Sequence, residues 1–304
     1  MCRTKGRQFP ACSTTEKRRI ISGPLPAGQS ADIMSSPAAK LPILTLHALD
    51  SMPSSVVSLS PAFFSRALDR MCTEGYRTIS LIDAVRSLRQ QKPFLDRTFA
   101  VTFDDGYQTV YRHAFPLLQE YSLSATVFLT VGNRGQSKSG GRLRSLEGRE
   151  MLSWEEIREM HRWGITFAAH TVTHPDLTRL TADQVRSEVC DSKAVIEDAL
   201  GNAVTAFAYP YGRHNQQVRE IVAQHFACAC SDRLGLVTLA SDPYALERVD
   251  AYCLRKEWGF DIVQTRLFPW YLRTYRILRR VRIALNARRK AGTVSHARGE
   301  NPGS

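Results

Sequence analysis

Short apolar runs alternate with amphipathic helical patterns from Leu41 to about Asp250, and this alternation constrains the fold more than any other feature of the chain. Runs such as Phe99–Phe103 are almost continuously apolar, as expected for strands that are buried on both faces. The pattern predicts parallel strands joined by crossover helices, and its length of about 220 residues favours a closed or nearly closed β/α barrel. The predicted strands are Pro42–His47, Phe99–Phe103, Ala125–Leu129, Ile165–His170, Thr205–Tyr209 and Ala227–Cys230.

Capping signals mark the predicted helices. Ser153 with Glu156 forms a capping box for a helix that is expected to end at Gly164. A second capping box begins at Thr181, and its helix is expected to end at Gly201. Further helices are predicted from Ser60–Pro61 to Gly75, over Val110–Tyr121 and over Gln216–His225.

The net charge of +12 is concentrated at the two ends of the chain. Residues 1–40 have a net charge of +5 and residues 263–304 of +9, which leaves −2 for residues 41–262. This distribution excludes a basic nucleic-acid-binding core, and no nucleic-acid partner is expected. We predict a disordered basic segment over 1–40, an enzyme-sized barrel over 41–262, and a basic amphipathic helix with its tail over 263–304.

The first forty residues contain basic clusters, but no apolar segment long enough for a signal peptide follows them. No stretch approaches the roughly 18 apolar residues that a membrane span needs. We therefore expect a cytoplasmic protein, and a start at Met34 would not change this argument. The seven cysteines show no spacing typical of a disulfide framework, and Cys228 and Cys230 are predicted to be packed thiols on one face of a strand.

Several polar residues lie where predicted strands end. Asp104 and Asp105 follow a buried strand and precede Gly106, and His47 and His170 each end another strand. Because the carboxyl ends of barrel strands meet at one mouth, these side chains are expected to converge. A solvated Asp-Asp-Gly turn would explain the glycine, but not why two acids end such an apolar strand.

His170 and His174 are four residues apart, which would align their rings if the backbone made one helical turn. Such a pair alone is weak evidence, since incidental surface histidines also show this spacing. Two histidines with a carboxylate are nevertheless a common ligand set for Zn²⁺ and other divalent cations.

Three motifs together resemble a known family. The segments "TFDDGY", "HTVTH" and "FAYPYG", in this order, are similar to those of polysaccharide deacetylases of the NodB-homology type (carbohydrate esterase family 4), and "FAYPYG" resembles the exopolysaccharide-type branch. The resemblance covers about Leu41 to Asp250. It implies a distorted (β/α)₇ barrel that hydrolyses the N-acetyl amide of amino sugars in a glycan or glycolipid.

The resemblance also implies roles for individual residues. Asp104 matches the catalytic base of the family, and the ligands of a divalent metal, with Zn²⁺ expected, match Asp105, His170 and His174. Tyr211 matches the residue whose backbone N–H helps to stabilise the oxyanion. A bound cation that activates water, beside an unligated base, is consistent chemistry for amide hydrolysis.

The sequence departs from the usual family pattern in its general acid. Most members carry this acid, a histidine, in a Leu-x-His motif near the end of the domain, but after Cys230 the only histidine here is His296. Some exopolysaccharide-modifying members have a permuted motif order, with the histidine on an early strand. His47 is therefore the candidate acid, expected on the side of the metal away from Asp104, and a buried structural histidine is the alternative.

A second departure is Ala208, where many members carry an arginine that pairs with the catalytic base. Arg213 and Arg248 are both candidates to replace it, and the sequence does not choose between them. Asp232 lies where the family has an acidic motif and is a candidate supporting residue.

The segment Leu267–Lys290 predicts an amphipathic helix with an apolar stripe through Trp270, Thr274 and Ile277 and arginines elsewhere. Two interpretations remain open: peripheral contact with an anionic membrane, or packing of this stripe against the barrel. For the whole chain, the alternatives to an N-deacetylase are a related metal-dependent amidase acting on a small non-sugar substrate and a non-catalytic glycan-binding or membrane-associated relic of the fold.

Overall fold

The computed structural model describes residues 37–38, 40–50, 57–132, 141–146, 148–254, 265 and 267–278, all within the compact unit Ser35–Ser304. Seven parallel strands form a closed barrel in which consecutive strands are neighbours. They are β1 (Ile43–Leu46), β2 (Thr98–Phe103), β3 (Thr126–Leu129), β4 (Thr166–Ala169), β5 (Ala206–Ala208), β6 (Cys228–Leu234) and β7 (Leu246–Asp250). The expected (β/α)₇ barrel is confirmed.

Strand β1 closes the barrel because it pairs with a strand on each side. Leu46 is in register with Phe103 of β2, and Leu44 is in register with Val249 of β7. Strand β7 was missed by the sequence analysis, since its segment "LERVD" is interrupted by two charged residues. One of these, Arg248, is nevertheless buried, which an apolar-run criterion does not anticipate.

The helices surrounding the barrel are α1 (Pro61–Thr73), α2 (Leu81–Arg89), α3 (Phe115–Glu120), α4 (Trp154–Trp163), α5 (Ala182–Leu200) and α6 (Gln216–His225), and residues 268–278 form α7. Both predicted capping boxes are present, at the starts of α4 and α5. Gly164 and Gly201 end these helices in the left-handed conformation, as predicted. Helix α2 was not predicted, and a π-helical turn over Val110–Ala114 precedes α3.

Short elements complete the described chain. Two antiparallel pairs join Pro37–Ala38 to Phe94–Leu95 and Lys40–Leu41 to Val237–Thr238. Ala48–Leu49 pairs in parallel with Ser58–Leu59, and Arg77–Thr78 with the start of β2. Turns of 3₁₀ helix cover Leu177–Arg179, Pro210–Gly212 and Ala251–Leu254. The described chain thus begins at Pro37, a few residues before the predicted boundary at 41, and residues 1–36 lie outside it.

The buried cluster inside the barrel combines small side chains with Ile43, Phe128 and Leu246, and helix α2 packs against it. The small residues are Ala100, Ala168, Ala206, Ala208, Cys228 and Cys230, and Leu81, Ala84, Val85 and Leu88 of α2 belong to the same buried cluster. Arg89, at the end of α2, donates a hydrogen bond to the carbonyl of Ala227, just before β6. Helix α2 therefore covers the amino-terminal end of the barrel, and the polar residues collect at the other end.

Helix α7 packs on the barrel through a face other than the predicted apolar stripe. Phe268 and Leu272 are buried, and Tyr271 donates a hydrogen bond of 2.7 Å to the carbonyl of Cys253. The predicted stripe, by contrast, is exposed at Trp270 and Ile277, so its packing against the barrel is wrong for the described residues. Residues 279–290 of the predicted helix lie outside them. Among the described residues, no helix has the length and apolar character needed to cross a bilayer.

Candidate metal and catalytic site

The polar residues singled out in the sequence converge at the carboxyl end of the barrel. His47 follows β1, Asp104 and Asp105 follow β2, His170 follows β4, and the turn containing Tyr211 follows β5. Asp104, Asp105 and His170 are each less than 5% exposed. Burial of this many ionisable groups is costly unless each has a partner, so the contacts among them define the site.

Asp105, His170 and His174 form a compact cluster of potential metal ligands. Their ligand atoms lie within 4.8 Å of one another, and Nε2 of each histidine is 3.4 Å from Oδ1 of Asp105. Two ligands of a tetrahedral cation with bonds of about 2.0–2.1 Å are separated by about 3.3–3.4 Å, so this spacing fits a bound metal ion.

The tautomer of His170 is also suited to a metal. Its Nδ1 lies 2.7 Å from the carbonyl oxygen of Ala208, which can only accept a hydrogen bond. Nδ1 therefore carries the proton and donates, and the lone pair of Nε2 points toward Asp105. A backbone carbonyl that orients a ligating imidazole in this way is a common feature of metal sites.

Left-handed backbone conformations bring the three ligands together. Asp105, Thr171 and His174 have φ angles of 73°, 72° and 60°. The segment from His170 to His174 is therefore an irregular loop and not the helical turn that would have aligned the two rings. Gly106 follows with φ of 88°, and a Cβ there would lie 2.8 Å from Leu129 Cδ2, so only glycine fits this turn.

Glu188 of α5 holds the loop between the two histidines. Its carboxylate accepts hydrogen bonds from the backbone N–H of Val172 (2.8 Å) and Thr173 (2.9 Å) and from the Thr173 hydroxyl (2.7 Å). Within the loop, the Thr171 hydroxyl accepts from the His174 N–H at 3.0 Å. The sequence analysis missed Glu188, because nothing in an isolated helical pattern distinguishes a carboxylate that faces a loop from one that faces solvent.

Asp104 is held by Arg248, which therefore replaces the arginine that many family members carry at the position of Ala208. Nη1 and Nη2 of Arg248 each donate a 2.7 Å hydrogen bond to one oxygen of Asp104, and its Nε donates to the carbonyl of Ser231 at 2.9 Å. Both side chains are buried. The other candidate, Arg213, instead pairs with Asp176 at 2.7 Å on the surface.

The electrostatics keep Asp104 ionised. Burial by itself raises the pKa of this carboxyl, but the Arg248 guanidinium outweighs that effect and holds the pKa of Asp104 well below its usual range. Burial lowers the pKa of Arg248, but the charge and hydrogen bonds of Asp104, together with contributions from Cys230 and Asp232, outweigh burial and raise the pKa. Asp104 is therefore a carboxylate at physiological pH.

The two histidines of the cluster differ in their pKa values. Burial lowers the pKa of His174 to about 4, with a further contribution from the charge of His170. Burial also acts to lower the pKa of His170, but the contact of its Nε2 with Asp105 and the negative charges of Asp104 and Asp105 together outweigh burial and raise the pKa. One imidazole thus stays neutral through the physiological range and offers its nitrogen lone pair, which a metal ligand requires.

His47 lies beside Asp104, not on the far side of the site as expected. Its Nε2 is 4.0 Å from Asp104 Oδ2, and a quarter of its side chain is exposed at the mouth of the barrel. The gap is too long for a direct hydrogen bond, and one water or a substrate atom can bridge it.

The turn Pro210–Gly212 forms the opposite wall of the mouth. The Tyr211 ring packs against the His174 ring with centroids 4.7 Å apart, and Tyr211 has φ of 56°. A Cβ on Gly212 would lie 2.2 Å from the backbone nitrogen of Asp232, so Asp232 packs directly behind this turn. The exposed Tyr211 side chain offers an aromatic surface beside the ligand cluster.

Comparison with known proteins identifies the family. The family model for polysaccharide deacetylases matches residues 91–226. YxkH of Bacillus subtilis (strain 168), which is assigned to the polysaccharide deacetylases, is 30% identical over 221 residues, covering 72% of this chain and 74% of the relative. The chain belongs to the polysaccharide deacetylase family.

Two further relatives indicate the branch of the family to which this chain is similar. The solved structure of the Streptococcus pyogenes deacetylase PplD, in complex with acetate, is 28% identical with a TM-score of 0.66, covering 76% of this chain and 99% of that one. The poly-β-1,6-N-acetyl-D-glucosamine N-deacetylase of Staphylococcus aureus (strain MSSA476) is 26% identical over 145 residues, covering 44% of this chain and 47% of the relative. The chain thus spans about half the length of the staphylococcal enzyme, and the resemblance to the NodB-homology family and its exopolysaccharide-type branch is confirmed.

Proposed function

We propose that this deacetylase hydrolyses the N-acetyl group of amino-sugar units in a polysaccharide or lipid-linked glycan, using a divalent cation, Zn²⁺, at Asp105, His170 and His174. The observation that carries the proposal is the buried Asp104–Arg248 pair beside the ligand cluster. A fold that only bound glycans would gain nothing from keeping an ionised, unligated carboxylate in this position. The choice of Zn²⁺ follows from the donor set of two imidazole nitrogens and one carboxylate.

In this reaction Asp104 is the general base. Its carboxylate accepts a proton from the water that attacks the acetyl carbonyl carbon, and Arg248 keeps both oxygens of that carboxylate fixed in direction. Asp105, His170 and His174 would hold a cation that, when bound, would polarise the carbonyl as a Lewis acid and lower the pKa of water. The backbone N–H of Tyr211 is proposed to donate a hydrogen bond to the developing oxyanion.

Cleavage of the C–N bond requires a proton on the leaving nitrogen. His47 is proposed to donate it, because it lies at the mouth within 4.0 Å of Asp104 and is not part of the ligand cluster. The products are acetate and a free amine on the sugar. Asp104 has then gained a proton and His47 has lost one, and transfer of that proton from Asp104 to His47, across 4.0 Å, restores both residues. The exposed Tyr211 ring provides a stacking surface for a sugar ring next to the reacting group.

The test measures acetate released by the full chain from a panel of substrates. The panel contains oligomers of β-1,6-linked and β-1,4-linked N-acetylglucosamine, a lipid-linked N-acetyl sugar and several small N-acetyl amides. We expect release from at least one glycan, its loss after chelation, and its recovery with Zn²⁺. The matched control is Asp104→Asn, which should bind Zn²⁺ and lose most turnover, about 10²–10⁴-fold.

Other outcomes would contradict the proposal. Activity on small amides alone would identify a small-molecule amidase. Zn²⁺ binding without acetate release from any substrate would point to a non-catalytic relic. Unchanged turnover in Asp104→Asn would mean that another group is the base.

A further inference from the structure

Helix α7 is fixed to the barrel by one face. Phe268 and Leu272 are almost completely buried, and the Tyr271 hydroxyl donates to the carbonyl of Cys253. Tyr275 packs on the same core cluster. The helix is therefore a part of the folded barrel, and the direction in which its remaining faces point is set by this packing.

The faces turned away from the barrel carry an unusual set of apolar side chains. Seven large hydrophobic residues are exposed in the described part of the chain, and four of them are Leu267, Trp270, Ile277 and Leu278. Trp270 is 67% exposed and Ile277 is 54% exposed. A fifth, Leu95, lines a cavity of about 370 Å³ together with Phe268 and Pro269. We call these five exposed residues the apolar patch, and such clustering on one side of a soluble fold marks an interaction surface.

Basic side chains border this patch. Arg273 and Arg276 of α7 line a neighbouring cavity of about 280 Å³ together with Lys40. Lys40 also lines the cavity beside Leu95, where Arg97 and one acid, Asp96, are its charged neighbours. Arg273 lies over the Trp270 ring, 6.0 Å from its centre. The charge continues along the chain, since residues 263–304 contain ten Lys or Arg and a single acidic residue.

We propose that the apolar patch and its basic border dock on an anionic phospholipid bilayer. On α7 a tryptophan and aliphatic side chains lie next to arginines, and the described part of this helix is too short and too polar to span a bilayer. This composition matches that of helices that lie in the membrane interface. The acyl boundary takes up the apolar patch, and the lipid phosphates pair with Arg273, Arg276 and Lys40. The proposal goes beyond the proposed function and does not depend on it.

Charge argues against the alternative that a second copy of this chain covers the patch. A symmetric contact through α7 would place Arg273 and Arg276 of each copy close to the same residues of the other, with a strongly basic segment following in both. Like charges brought together in this way disfavour association, whereas an anionic surface is complementary to them.

The experiment measures partition of the full chain onto vesicles, by sedimentation, with phosphatidylcholine alone and with about 30% phosphatidylglycerol. Truncation before α7 is unsuitable, because it would remove the buried Phe268 and Leu272 from the core. Instead, Arg273→Gln/Arg276→Gln is compared with Arg162→Gln/Arg186→Gln, which removes the same charge from exposed positions on α4 and α5. Trp270→Ala/Ile277→Ala tests the apolar contribution, with the partly exposed Trp163→Ala as its control.

We expect binding only to the anionic vesicles and release at about 1 M salt, where the Debye length falls to about 3 Å. Arg273→Gln/Arg276→Gln should weaken partition about 25-fold, since each basic residue at the surface contributes about a fivefold change. Its charge-matched control should change partition much less. Brominated lipids should quench tryptophan emission in the wild type and much less in Trp270→Phe.

Three results would overturn the proposal. The first is failure of the wild type to bind anionic vesicles. The second is an equal loss of binding in the two double arginine variants, which would show that binding depends on the net charge of the protein and not on the position of the arginines. The third is concentration-dependent dimerisation that Trp270→Ala/Ile277→Ala abolishes, which would assign the patch to self-association. Unchanged melting temperatures of the variants confirm that each loss is not one of folding.

Discussion

The two ends of the barrel differ in the side chains that they bury. The carboxyl end holds Asp104, Arg248 and three potential metal ligands. At the amino end, leucine, alanine and valine side chains of helix α2 pack against alanines and cysteines of the strands. Four of the seven non-glycine residues with positive φ in the described chain lie at the carboxyl end, namely Asp105, Thr171, His174 and Tyr211. Buried charge is concentrated at this end, which carries the chemistry, and the apolar end supplies packing that supports the fold.

The largest effect is expected at His47, on the polar end. Replacement by alanine should reduce turnover of an N-acetyl amide by about 10²–10⁴-fold, because the leaving nitrogen would lack its proton donor. An activated ester, whose leaving group needs no proton, should be affected far less, and kcat for the two substrates measures the difference. His113→Ala, an exposed histidine outside the site, is the control. Equal losses on both substrates would identify His47 as structural.

Removal of Arg248 should show how strongly the polar end depends on paired charges. Arg248→Met leaves the Asp104 carboxylate buried without its partner, and we expect a loss of about 3–5 kcal/mol in the free energy of unfolding, measured with urea. Adding Asp104→Asn to this variant should recover part of the loss, since the unpaired charge is then gone. Arg213→Met breaks the surface pair with Asp176 and removes the guanidinium from the Tyr211 ring, and it should cost less than about 1 kcal/mol. If Arg248→Met and Arg213→Met lost similar amounts of unfolding free energy, the polar end of the barrel would not depend on its buried charge pair.

At the apolar end, Leu81→Ala should destabilise the barrel without changing its chemistry. Leu81 is 3% exposed and packs in the interior cluster, so a cavity there is expected to cost about 2–5 kcal/mol of unfolding free energy. The affinity for Zn²⁺ and the KM of the remaining folded enzyme should stay unchanged. Leu95→Ala, at an exposed position, is the matched control and should have little effect on stability. A large fall in Zn²⁺ affinity in Leu81→Ala would show that the two ends are coupled.

The smallest effect is expected at Glu188, which touches no ligand side chain. Glu188→Gln places an amide N–H₂ group among three donors of the loop, so the position of His174 is less well fixed, and Zn²⁺ affinity should fall by about 10–100-fold. Competition with a chelating dye measures this affinity independently of turnover. Glu220→Gln, an exposed residue of α6, is the control. Unchanged affinity would limit Glu188 to a general role in stability.

The elements that local signals specify were predicted well. The capping boxes at Ser153 and Thr181 fixed the starts of α4 and α5, and the apolar runs located six of the seven barrel strands. Strand β7 and helix α2 were missed for a common reason: their burial depends on what surrounds them. Arg248 can be buried because it pairs with Asp104 of another strand. The apolar face of α2 is buried because it packs against the amino-terminal end of the barrel.

The same division holds for the site. The sequence by itself determined the ligand types, the strand ends that carry them and the family, because these depend on residue identity and order along the chain. Only the tertiary structure decided that Arg248, not Arg213, pairs with Asp104, that Glu188 supports the ligand loop, and that α7 packs through Phe268 and Leu272 and leaves Trp270 exposed. Each of these depends on contacts between segments distant in sequence, and a periodic pattern identifies which faces of a helix are apolar but not which of them meets the core.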